Sequence, residues 1–204
     1  APVGGKIAFV SRASNLVVGD GNGNTDIFVW SNGTITRVST DALGNESNGF
    51  SDSPSFSADG TKIVFVSNAN NLVAGDTNGT EDIFVKDLTT GAIQRVNTTA
   101  LGDEATGDGE GGGYSSEPIF SPDASRVAFV SVADNLVAGD TNDVADVFVK
   151  TLSGGAIVRV SVNASGVQAN GDSSGPAFSP NGGRVAFTSE ATDLIAGDTN
   201  GVAD

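Results

Sequence analysis

Ser57-Ala58-Asp59-Gly60-Thr61-Lys62-Ile63-Val64-Phe65-Val66-Ser67 decides the fold of this 204-residue chain, because the chain repeats it. The frame returns as Ser121-Pro122-Asp123-Ala124-Ser125-Arg126-Val127-Ala128-Phe129-Val130-Ser131 and as Ser179-Pro180-Asn181-Gly182-Gly183-Arg184-Val185-Ala186-Phe187-Thr188-Ser189. The run from Lys6 to Ser11 is a further copy of its apolar half. Asp59-Gly60 and Asn181-Gly182 are tight-hairpin signals, and Asp123-Ala124 is a weaker version. Each frame leads into an acidic segment that closes on Asp20, Asp76, Asp140 and Asp198, at intervals of 56, 64 and 58 residues. A second apolar run follows the first three of these, at 26–29, 82–85 and 146–149. A third follows at 35–39, 93–97 and 157–161. A loop then reaches a short run led by Pro54, Pro118 or Pro176.

Each unit therefore holds four short runs rich in Val, Ile and Phe, separated by Gly, Asn, Asp and Ser. Sustained helical periodicity is absent. Four strands in a repeat of this length predict a propeller blade, so the fold class is all-β. The second run of each unit is apolar at consecutive positions, as expected of a strand covered on both faces. The expected blades are 5–40 (strands B to D), 53–98, 117–162 and 175–204 (strands A and B), about three and a half in all.

Composition narrows the function. The formal charge is −15, from 25 acids against 10 bases, which opposes nucleic acid and anionic lipid as partners. No stretch is apolar enough to span a bilayer, so no membrane insertion is expected. Cys and His are both absent, which removes thiol chemistry, disulfides and the commonest general base. The chain opens on Ala1-Pro2-Val3 without a Met, as after leader removal or as part of something longer.

The phrases Ser57 to Phe65 and Gly75-Asp76-Thr77-Asn78-Gly79-Thr80-Glu81-Asp82-Ile83-Phe84-Val85 resemble the TolB-type, WD40-like β-propeller repeat of secreted bacterial proteins. The resemblance covers essentially the whole chain. It implies the propeller fold, with the Pro-led strand innermost, and implies no reaction. By that phasing the ring is partial, completed by other chains or segments.

The chemistry lies in the loops between strands B and C. Each carries Asp-x-Asn-x-x-x-Asp: Asp20, Asn22, Asp26; Asp76, Asn78, Asp82; Asp140, Asn142, Asp146; Asp198, Asn200, Asp204. Oxygen ligands in a tight Gly-rich turn suit a hard cation, and Ca2+ is the expected cofactor. The spacing is not that of an EF-hand. It is similar to the short calcium loops of integrin-type propellers. The bland alternative is an Asx turn that satisfies backbone N–H groups. Two converging carboxylates favour the cation, because they repel unless a cation or hydrogen-bond donors compensate. Filling all four loops would move the formal charge from −15 to about −7.

Other recurrent residues have structural expectations. Leu72 and Val73 pin the loop to its blade, and Arg37, Arg95 and Arg159 form intra-blade ion pairs. The D–A connections share a Gly-x4-Gly frame (Gly44 to Gly49, Gly102 to Gly107, Gly166 to Gly171) and lie on the same face as the acidic loops. Six extra residues in the second make an acidic insertion with Asp103, Glu104, Asp108 and Glu110.

The expected function is a calcium-stabilised binding or surface-structural module, extracellular, on the cell surface or periplasmic, with a protein or carbohydrate partner. One alternative is a self-assembling subunit that pairs through open blade edges as a homo-oligomer. Another is the non-catalytic propeller part of a larger secreted hydrolase. The chain itself is not expected to be an enzyme: its carboxylate pairs repeat identically, whereas a catalytic pair is singular.

Overall fold

Thirteen strands and no helix make up the described residues, 5–107 and 112–204, of a computed structural model. The strands form four antiparallel meanders. The first blade is β1 (Ile7–Ser11), β2 (Asp26–Ser31) and β3 (Thr34–Arg37). The second is β4 (Ser51–Phe56), β5 (Lys62–Ser67), β6 (Asp82–Asp87) and β7 (Ile93–Arg95). The third is β8 (Ser115–Phe120), β9 (Arg126–Ser131), β10 (Asp146–Thr151) and β11 (Ile157–Arg159). The fourth pairs β12 (Ser173–Phe178) with β13 (Val185–Ser189).

The side-chain period of a strand explains how blades stack. Along β5, Ile63 and Phe65 face the first blade and join Ile27, Val29 and Val38 in one core cluster. Val64 and Val66 face the third blade and join Phe120, Val127 and Phe129 in another. Both faces are covered, so Ile83-Phe84-Val85 is buried at consecutive positions. Register places Phe9 opposite Phe28, Phe65 opposite Phe84 and Phe129 opposite Phe148. The rings stack with centroids 5.7–5.9 Å apart, adding to the burial of each pair.

The innermost strand begins three residues before the proline in each complete case, earlier than the sequence suggested. Backbone bonds across the blade boundary start it: Ser51 N–H to Thr25 O, Ser115 N–H to Glu81 O and Ser173 N–H to Ala145 O, at 2.7–2.9 Å. The prolines have no N–H for the ladder, and each strand bulges just before them. Ser53 and Glu117 take a left-handed backbone there, φ +52°, where the fourth blade has Gly175. In the weaker hairpin Ala124 also accepts positive φ, +54°, in the place of Gly60 and Gly182.

The Gly-x4-Gly frame has two separate causes. Gly44, Gly102 and Gly166 turn at φ +78° to +95°. Gly49 and Gly171 instead lie against the next blade: a Cβ on Gly49 would stand 2.8 Å from Ala69 N, and one on Gly171 3.0 Å from Ala191 N. Asp108 and Glu110 of the expected acidic insertion lie outside the described residues.

Candidate functional site

Three of the four acidic loops are closed by an Asx turn. In the second blade Asn78 Oδ1 accepts the Thr80 N–H at 3.2 Å. The Asn78 amide donates to Asp82 Oδ1 and to Ala105 O, both at 3.1 Å. In the first blade Asn22 accepts from Asn24 N–H at 2.6 Å and donates to Asp26 and to Ser47 O at 3.0 Å. The donor contact to a backbone carbonyl fixes which way each amide points. Its oxygen is therefore turned to the chain in both blades, not toward the carboxylates. In the third blade Asn142 donates to Asp146 and Ala169 O, but its buried Oδ1 has no partner among the described residues. In the fourth, Asn200 Oδ1 accepts from Val202 N–H at 3.0 Å and its amide donates to both oxygens of Asp204. Asp204 also pairs through its backbone with Ser189, the register that Asp82 keeps with Ser67. The fourth loop thus has the same frame but no ion pair among the described residues.

An arginine from the outermost strand enters each of the first three sites, as its recurrence predicted. Arg95 Nη1 lies 3.3 Å from Asp76, 3.1 Å from Asp82 and 3.0 Å from Glu104, and Nη2 donates to Gly75 O. Arg159 Nη1 lies 2.7 Å from Asp140 and 3.1 Å from Asp146. Arg37 is bound to Glu46 and stands 3.6 Å from Asp20 and 3.9 Å from Asp26. These arginine side chains are 8–9% exposed and the loop aspartates 5% or less, so the pairs are poorly screened by solvent.

Two further positions complete the site and escaped sequence reasoning. The first is Ser39, Asn97 or Ser161, just past the outer strand. Its side chain accepts the N–H that opens strand C (Ile27, Ile83, Val147) and donates to the buried Asp26, Asp82 or Asp146. The second is Glu46, Glu104 or Gln168 in the D–A loop, which holds the acidic loop by its backbone. Glu46 accepts Gly21 N–H, Glu104 accepts Thr77 and Asn78 N–H, and Gln168 accepts Thr141 N–H. Glu104 is therefore part of the site and not of the insertion. Both positions recur at fixed offsets in the repeat, which is the signal that could have revealed them.

The charges do not balance. Three carboxylates face one arginine in the first and second blades, and two face one in the third. Burial, with the charge of Asp82 behind it, pushes the Asp76 carboxyl up to about 6. Burial likewise raises Asp140 to about 6, against the pull of Arg159, and raises Asp20. Glu104 moves the other way: burial works against it, but Thr77 and Arg95 hold it below the usual range. In the first blade Asp20, Asp26 and Glu46 each bring a carboxylate oxygen within 4.8 Å of the others.

Comparison with solved structures settles the architecture. A candidate TolB from Agrobacterium tumefaciens matches over 93% of this chain at a TM-score of 0.53 and 17% identity. The chain is a segment of β-propeller. It spans 52% of the length of that structure. Tricorn protease matches 92% of the chain at a TM-score of 0.55 and 14% identity, with 14% of its own length covered. At such identities the likeness is one of fold. No family model and no curated protein matches the sequence.

Proposed function

We propose that this propeller segment is a non-catalytic binding or surface-structural module whose acidic loops are ordered blade by blade, by arginine and by calcium together. The observation that carries the reading is the repeated charge imbalance. Each arginine neutralises one carboxylate and leaves an excess of negative charge in a buried place. A divalent ion would bring the Asp20, Asp26, Glu46 set and the Asp76, Asp82, Glu104 set to neutrality. In the third blade Asp140 and Asp146 would be the carboxylate ligands. Asn22 and Asn78 use their oxygens in the turn, so the carboxylates are the calcium ligands of the first two blades. Such loops would bind with the roughly 10⁻⁴–10⁻³ M affinity of extracellular modules, an affinity that suits a protein outside the cytosol.

The test is thermal unfolding in millimolar calcium and in excess chelator. A melting temperature that rises with calcium supports the reading. Identical curves would leave arginine as the sole ordering cation.

A further inference from the structure

Lys86 and Lys150 stand at the same position of strand C in the second and third blades, and both are nearly buried, at 6% and 5% exposure. A lysine so buried needs acceptors for its three ammonium hydrogens. In neither blade do those acceptors come from its own sheet. Lys86 Nζ reaches back to the first blade, donating to Thr40 O at 2.9 Å, Thr40 Oγ1 at 3.1 Å and Asp41 O at 2.6 Å. Lys150 Nζ reaches back to the second blade, donating to Thr98 O and Thr99 O, both at 2.7 Å. Burial lowers the pKa of both ammonium groups, with the Asp41 charge opposing it at Lys86. In the first blade the position is held by Trp30, which is 38% exposed.

The carbonyls that receive the ammonium start the D–A loop, and that loop leads into the acidic site. Thr99 N–H bonds to Asp103 O at 2.9 Å and closes the turn, and Thr98 bridges to Glu104. Glu104 then holds the Thr77 and Asn78 amides and Arg95. The first blade repeats the chain of contacts: Thr40 bridges to Glu46, and Glu46 holds Gly21 N–H and Arg37. Two independent copies thus link the lysine of one blade to the acidic loop of the blade before it.

We propose that Lys86 and Lys150 are inter-blade staples, each ordering the acidic loop site of the preceding blade through the carbonyls of its D–A loop. The acidic loops are then not autonomous. The site of one blade is complete only when the next blade is docked with its lysine seated. Loop order becomes a report on ring assembly.

Amide hydrogen exchange on the whole chain, with chelator present, tests this in the wild type, Lys86→Met and Lys150→Met. Lys150→Met should speed exchange of the Thr77 and Asn78 amides by roughly tenfold, the effect of leaving buried acceptors without their donor, and leave Gly21 unchanged. Lys86→Met should do the reverse. Equal acceleration at all three amides would mean general destabilisation and would overturn the proposal, as would no acceleration at any. Should Lys150→Met fail to fold, Lys150→Gln keeps a donor at shorter reach and is read at the same amides. Acceleration over the wild type at Thr77 no greater than at Gly21 in that variant also overturns the proposal.

Discussion

Replacing Arg95 by Met isolates what the buried arginine does. The side chain is 8% exposed, and its Nη1 lies 3.0–3.3 Å from three carboxylates, of which Asp76 and Asp82 are 4% and 0% exposed. Methionine keeps the apolar stem and removes the charge. Three carboxylates then face one another with only hydrogen-bond donors to compensate. Removing one partner of a buried ion pair is expected to cost about 3–5 kcal/mol, because the other stays behind uncompensated. For a chain of this size each kcal/mol lowers the melting temperature by about 2–4 °C, so a fall of roughly 10 °C is expected. The assay is thermal and urea unfolding at pH 7.5 with chelator present. Arg159→Met should lose less, since Arg159 faces two carboxylates and not three. The deficit of Arg95→Met should shrink as the pH falls toward 4, where the carboxylates protonate. Millimolar calcium should also reduce it if the ion seats among Asp76, Asp82 and Glu104. A loss below about 1 kcal/mol at pH 7.5, the range of an exposed pair, would refute the reasoning.

Asp76→Asn should act in the opposite direction. The folded carboxyl has a pKa raised to about 6 from its ordinary 3.8, so its protonated form is favoured in the folded state. Stability is therefore lost as the pH rises from about 4 through 6 and is not regained above that. With chelator present, Asp76→Asn should be more stable than the wild type at pH 7.5 by about 1–2 kcal/mol after solvent screening, with the gain gone near pH 4. A variant less stable at pH 7.5 in urea unfolding would contradict this. Ser53→Gly should stabilise by up to about 1 kcal/mol, because glycine accepts the φ of +52° without strain, as Gly175 does in the fourth blade. A lower urea midpoint would count against strain there. Gly49→Ala should destabilise by about 1–3 kcal/mol in the same assay, because its Cβ would meet Ala69 backbone atoms at 2.8–2.9 Å. An unchanged midpoint would show that the boundary between the first two blades yields.

The all-β architecture was legible in the sequence because the information is local and repeated. The apolar run Ile63-Val64-Phe65-Val66, the Asp-Gly hairpins and the consecutive apolar positions Ile83-Phe84-Val85 are all features that a short window contains. The spacing of Asp76, Asn78 and Asp82 was equally plain, and so was the recurrence of Arg95. The target of that arginine was not plain, since spacing carries no direction. Tertiary structure alone decided that Asn78 turns its oxygen to Thr80 N–H, and that Glu104, 27 residues from Thr77, folds back to hold the loop. It also decided that the Lys150 ammonium is shared with the preceding blade, 52 residues away at Thr98. The physical reason is the same in each case. Strand formation is settled by neighbours along the chain, whereas compensation of a buried charge is settled by whichever polar groups the packing of whole blades brings within hydrogen-bond reach.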